Sequence, residues 1–228
     1  MIQGVDLSDY QNVTSFHEAQ ASGISFCICK ATQGTGNVQA TFADYRDRVR
    51  SVAGLVFGAY CFMEWGVDPA AQAAHFLSVY TPQNGDLPPG LDCEAFPHED
   101  EWDDASDEQQ AQWRAENTAQ IQAWLDAVRP HLGDTLPLVY ASYAAVGTYF
   151  DPSGFAGHPF WIAAFENPDA GFGDIIPTAL AGKSPGVVIW QYSNGTGQPT
   201  VPGIGASVDR DVFNGDEAAL RALCMSGL

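Results

Sequence analysis

Residues 87–96 read LPPGLDCEAF and place two acids, Asp92 and Glu94, two positions apart among residue types that bury. In an extended strand such residues point to the same side, about 6.6–6.8 Å apart along the chain. Asp92 and Glu94 therefore face one way, while Leu91 and Cys93 face the other. Two carboxylates held this close repel when both are ionised, so one pKa rises, and the acid in the drier position is expected to be the one. A carboxylic acid that keeps its proton beside an ionised partner is the pair that glycoside cleavage requires. Asp6 (in GVDLS) and Asp209 (in SVDRDVF) end or begin other strand-like runs and are expected in the same acidic centre. Trp65, Tyr140, Trp190 and Tyr192 also fall at strand ends, where aromatic faces can stack on sugar rings. A plain polar pair at the mouth of a barrel, with aromatics that only pack, is the competing reading.

The elements that would position these acids recur as apolar runs of strand length, at 2–8, 24–32, 55–63, 87–96, 136–142, 159–165, 187–193 and 206–213. Most are continuous rather than alternating, as in parallel strands buried on both faces. Helical spacing appears over about 13–22, 41–53, 69–80 and 106–130. The third of these opens with Asp68 as cap and Pro69 in the first turn, and the fourth stops at Pro130 and Gly133. Residues 143–150 leave room only for a short helix, 166–186 hold too much Gly and Pro for one, and 194–205 read as loop. Eight strands with full helices only in the first half predict an irregular α/β barrel, about five βα units followed by three further strands. Residues 1–228 are expected to form one domain, since single barrels commonly have this length.

In such barrels chemistry gathers at the C-terminal strand ends. Those ends also carry Ser8, Lys30, Thr32, Gln33, Glu64, Ser142, Tyr143, Phe165, Glu166 and Gln191. Net charge is −19, from 28 acidic and 9 basic residues. Such a surface repels polyphosphate and anionic lipid, so neither nucleic acid nor membrane is an expected partner. The acid run at 98–108 reads as a solvated loop and helix start. No apolar run reaches the roughly 18 residues of a membrane span. The N-terminus MIQGVDLSDY shows no basic stretch followed by an apolar core, so no secretory signal is expected. The cysteines at 27, 29, 61, 93 and 224 lie mostly in apolar strands and read as buried, reduced thiols. The five histidines form no HxH or HExxH pattern, and no GxSxG elbow occurs. The sequence shows no need for a metal or organic cofactor.

The chain resembles the family-25 glycoside hydrolases, the N-acetylmuramidases often called lysozymes. GVDLSDYQ (4–11) matches the family's G-[IV]-D-x-S-x-[YWH]-Q opening. FCICKATQG (26–34), AGLVFGAYCF (53–62), QAAHFL (72–77), LPPGLDCE (87–94), LVYAS (138–142), FWIAAF (160–165), IWQYS (189–193) and VPGIGASVDRDVFNG (201–215) follow in family order. The resemblance implies a flattened TIM-like barrel and cleavage of the β-1,4 bond from N-acetylmuramic acid to N-acetylglucosamine in peptidoglycan. It implies Glu94 as general acid, Asp92 as its partner, and Asp6 and Asp209 lining the same centre. Gln33, Tyr60, Trp65, Tyr140, Trp190, Gln191 and Tyr192 are the expected substrate contacts. Two mechanisms are compatible with it: attack by the sugar's own 2-acetamido oxygen, supported by Asp92, or direct use of a carboxylate. The adjacent D-x-E pair favours the first. This chain departs from the family at Gln33, where many relatives have Glu, and at Cys61, where relatives often have His. The expected partner is the glycan strand of peptidoglycan, met by a monomer of the phage-lysin type, made in the cytoplasm and released to the wall. A chitin-cleaving enzyme on the same scaffold and a non-catalytic glycan-binding module remain as alternatives.

Overall fold

In a computed structural model, which describes residues 1–155, 157–165, 171–205 and 207–228, the eight apolar runs become eight strands, and a short ninth forms outside them at 37–38. These are β1 (Ile2–Leu7), β2 (Ile24–Gln33), β3 (Asn37–Val38), β4 (Val56–Phe62), β5 (Gly90–Asp92), β6 (Leu138–Ser142), β7 (Phe160–Ala163), β8 (Val187–Ser193) and β9 (Asp209–Phe213). Five helices accompany them: α1 (Phe16–Ala21), α2 (Phe42–Ser51), α3 (Pro69–Val79), α4 (Asp107–Val128) and α5 (Glu217–Leu223). The sheet runs β1-β9-β8-β7-β6-β5-β4-β2, and a further β1–β2 pairing closes it into a barrel of eight strands, with β3 appended to β2. Neighbours in the barrel are parallel except at β9, which is antiparallel to both β1 and β8. That reversal has a consequence for the site. The first residue of β9 lies at the same barrel end as the last residues of the other strands.

Alternation along each strand separates two cores. Phe26, Ile28, Val56, Tyr60, Leu138, Tyr140, Trp161, Ile189 and Phe213 fill the barrel. Val5, Cys27, Cys29, Phe57, Leu91, Cys93, Val139 and Ile162 face the helices. All five cysteines are buried and free, and Cys27 and Cys29 share the outer face as the spacing predicts. The longest helix, α4, starts at a capping box between Ser106 and Gln109 and buries Asn117, Ile121, Trp124, Leu125 and Val128 along one stripe. In α3 the Asp68 side chain accepts from the Ala70 backbone N–H at 3.0 Å, with Pro69 in the first turn.

The chain is shorter of regular structure than the apolar runs suggest in one place and richer in another. Of 87–96 only Gly90–Asp92 is strand. Pro88 and Pro89 have no N–H to donate, and after Asp92 the chain turns, with Ala95 in the left-handed region at φ 49°. Residues 143–150 form turns with an isolated Val146–Phe150 bridge instead of a short helix. The terminal helix α5 carries no strong sequence signal beyond its Asp216 cap, which accepts from the Ala219 N–H. Its Leu220, with Cys224 just beyond it, joins the inner cluster beside Phe26 and Phe213 and stops the end of the barrel away from the acids.

Candidate active site

Asp92 is the last residue of β5, pairs with Phe62 and Tyr140 on either side, and is only 6% exposed. Glu94 lies two residues beyond the strand and is half-buried, so the pair divides into a dry acid and a wetter one. Burial, and next the Glu94 charge, push the Asp92 carboxyl well above its ordinary value, while Lys30 pulls it down. The pKa of the drier acid rises, as expected from the spacing. Asp92 Oδ1 is buried and has no hydrogen-bond partner among the described residues. Lys30, at the end of β2, has its ammonium 2.9 Å from Gln33 Oε1 and 4.3 Å from the Phe62 ring centre. Partial burial lowers its pKa, against the pull of the surrounding acids.

Asp6 faces Asp209 directly across the β1–β9 ladder. Asp6 Oδ2 accepts from Gln191 Nε2 at 2.7 Å, and Gln191 Oε1 accepts from the Tyr140 hydroxyl at 2.8 Å. A phenol on one side and a carboxylate on the other fix the orientation of that amide. Burial raises Asp6 well above the carboxylate range, and the Asp211 and Asp209 charges add to it, against the Gln191 bond. Burial and then the Glu94 charge bring Asp209 to about 6, which places Asp209 within electrostatic reach of the D-x-E pair. Tyr60 and Tyr140 line the space between, with their hydroxyls raised by burial and by the surrounding acids. Their rings meet Trp161 edge-on at 6.0 and 4.5 Å. Trp65 donates its Nε1 to the Glu94 backbone oxygen at 2.7 Å and lies against Phe96 at 4.6 Å, which holds the turn that carries Glu94.

The structure therefore brings Asp6, Asp92, Glu94, Asp209, Gln33, Tyr60, Trp65, Tyr140 and Gln191 around one basin at the barrel mouth. It does not bring Trp190 and Tyr192 there. They flank Gln191 on β8 and so point to the outer face. Trp190 donates to the Ala164 carbonyl at 2.9 Å, and the Tyr192 hydroxyl donates to Gln3 Oε1 at 3.2 Å. Alternation along β8 shows this once Gln191 is known to face inward. Glu166 lies outside the described residues. Two residues of the basin region are absent from the expected site set, Lys30 and Asp211. Asp211 is fully buried, and Trp161 Nε1 donates to its Oδ1 at 2.8 Å. Its signal is the D-R-D spacing at 209–211, the same two-residue step as Asp92 and Glu94. Among the described residues no three His, Cys, Asp or Glu side chains are grouped to hold a metal ion, and no helix is long and apolar enough to cross a membrane.

A barrel mouth lined by carboxylates of unequal wetness, with tyrosines and an amide between them, presents the kind of paired acids that glycoside hydrolysis uses. Comparison with known proteins agrees. The family model for glycosyl hydrolases family 25 matches residues 5–202. Lysozyme M1 of Streptomyces globisporus is 31% identical over 97% of this chain and 71% of its own length. The N,O-diacetylmuramidase of a Chalaropsis species is 28% identical, covering 85% of this chain and 88% of its own. The crystal structure of the bacterial lysozyme from Streptomyces coelicolor superposes with a TM-score of 0.78 at 26% identity, over 98% of this chain and 96% of that one. The chain belongs to glycosyl hydrolase family 25, and it is a glycoside hydrolase of the lysozyme class.

Proposed function

We propose that this protein is an N-acetylmuramidase that hydrolyses the β-1,4 bond between N-acetylmuramic acid and N-acetylglucosamine in peptidoglycan, with Glu94 as general acid and Asp92 supporting attack by the substrate's own acetamido group. The observation that carries the mechanism is the nearly buried Asp92, 6% exposed at the end of β5, beside the half-buried Glu94. As the acetamido N–H docks on Asp92, the proton that burial holds there passes to Glu94, and the acetamido oxygen attacks the anomeric carbon while Glu94 gives that proton to the departing glycosidic oxygen. The ring so formed is opened by water, whose proton returns to Glu94, and the sugar keeps its anomeric configuration. Asp6 and Asp209 stabilise positive charge that develops at the anomeric centre, and Lys30 limits the total charge of the basin. Tyr60, Trp65, Tyr140, Gln191 and Gln33 offer ring faces and hydrogen bonds to the glycan, while Trp190 and Tyr192 brace β8 from behind. Relatives named as lysozyme and muramidase support the choice of polymer.

The test digests purified peptidoglycan with wild type, Glu94→Gln and Asp92→Asn, reduces the products with borohydride and identifies the new ends by mass spectrometry. Reduced muramic ends from wild type, with rates down at least about a hundredfold in both variants, are expected. Reduced glucosamine ends, or full activity in Glu94→Gln, would refute the assignment. Cleavage of chitin oligomers in preference to the wall would select the chitinase reading instead.

A further inference from the structure

Asp211 has no part in the steps above, yet its surroundings are those of a working group. It is fully buried in the barrel, opposite Gly4 and two residue pairs below Asp6 and Asp209, on the same face of the ladder. Only one of its oxygens has a donor: Trp161 Nε1 serves Oδ1, and Oδ2 is buried without one among the described residues. The group within hydrogen-bonding reach is Asp6, another carboxyl. Two carboxyl oxygens cannot bond unless one of them carries a proton. Asp6 in turn is held by Gln191, and Gln191 by Tyr140.

We propose that Asp211 is a positioning residue of the catalytic centre: it shares one proton with Asp6, and that proton clamps Asp6 in the orientation that Gln191 and Tyr140 complete. The inference rests on the muramidase reading only for its activity assay. The groups that face the pair are few. Asp209 on β9 adds negative charge and also comes within hydrogen-bonding reach of Asp6, and Asp92 on β5 adds negative charge at Asp6. Trp161 on β7 and Gln191 on β8 donate. On the outer face of β2, burial keeps the thiols of Cys27 and Cys29 protonated, with a smaller push from the charge of Asp211 on the first and of Asp6 on the second. Burial first, and then the Asp6 charge, raises the hydroxyl of Tyr60 on β4. Among the described residues no cation faces Asp211, and burial takes its carboxyl to about 8. At neutral pH the pair therefore keeps a proton. On the alkaline side it loses that proton, gains a second buried charge and releases Asp6.

The Asn side chain in Asp211→Asn can still accept from Trp161 and donate to Asp6, but cannot ionise. Asp211→Leu can do neither. We expect Asp211→Asn to hold wall-cleaving activity within about threefold of wild type at pH 6, and to carry it at least one pH unit further into the alkaline range. Asp211→Leu should lose at least tenfold in kcat with KM little changed. Infrared difference spectra of the whole protein at pH 7 should show a protonated carboxyl band that Asp211→Asn reduces, an outcome independent of catalysis. Alkaline limbs that superimpose for wild type and Asp211→Asn, or an unchanged infrared band, would overturn the proposal. Failure of the muramidase reading would look different: wild type itself would release no muramic ends.

Discussion

Removing the ionisable group of Asp211 should make the protein more stable, and by an amount that grows with pH. The folded state holds this carboxyl at about 8, against an ordinary 3.8. Below about pH 4 both folded and unfolded chains keep the proton, and the group has no pH-dependent effect. As pH climbs from about 4 to about 8 the unfolded chain releases a proton that the folded chain retains, so folded stability falls across that window. At about 1.4 kcal/mol for each pH unit, the ceiling on this loss is about 6 kcal/mol. Asp6 and Asp209 share the same protons, so the three titrate as a set and Asp6 takes back part of the gain when Asp211 is replaced. The expected difference between Asp211→Asn and wild type is therefore about 2–4 kcal/mol in favour of the variant at pH 8, and about 0–1 kcal/mol at pH 4.5. Urea denaturation at the two pH values reads it directly, since a midpoint moves while the slope stays fixed. A variant whose advantage is the same at both pH values, or which is less stable than wild type at pH 8, would show that Asp211 is not a buried acid holding its proton.

Three further outcomes follow from other parts of the molecule. Arg50 reaches the buried Asp86, which also accepts from the Tyr80 hydroxyl at 2.9 Å; Arg50→Ala strands that carboxylate and should cost about 2–4 kcal/mol by chemical denaturation, and a loss under 1 kcal/mol would contradict it. Gly203 sits at φ +80°, and its carbonyl takes the Thr14 and Ser15 N–H groups at 2.7 and 2.9 Å; an added Cβ would lie 2.0 Å from the Ser15 oxygen, so Gly203→Ala should cost at least about 2 kcal/mol in the same assay and detach the 194–205 loop from the start of α1. With a net charge of −19, approach to a wall rich in anionic polymer should be slowed at very low salt, so initial lysis rates should rise as ionic strength climbs towards about 0.1 M, and a flat or falling curve there would count against it.

Much of the candidate site is legible in the chain because strand alternation is a local rule. The D-x-E spacing puts Asp92 and Glu94 on one side, and the same rule applied to D-R-D would have added Asp211 to Asp209. Applied to WQY at 190–192, it assigns Gln191 to one face and both aromatics to the other, but only after something else decides which face is inside. Continuous apolar runs and well-capped helices such as α3 and α4 are likewise local and were readable from propensity and caps. Closure of the barrel was not. The β1–β2 pairing joins the two ends of a sheet in which β9 runs backwards, and that reversal, a matter of which strands pair across some two hundred residues, sets Asp209 opposite Asp6. The wetness of each acid was also beyond the chain's own pattern. Asp92 and Glu94 are equivalent in sequence spacing, yet the strand stops at Asp92 and the turn at Ala95 lifts Glu94 towards solvent. The sequence by itself determined which side chains share a face, because that depends on neighbouring dihedrals. The tertiary structure decided which faces meet and which of the carboxyls lose their water, because both depend on contacts between residues far apart in the chain.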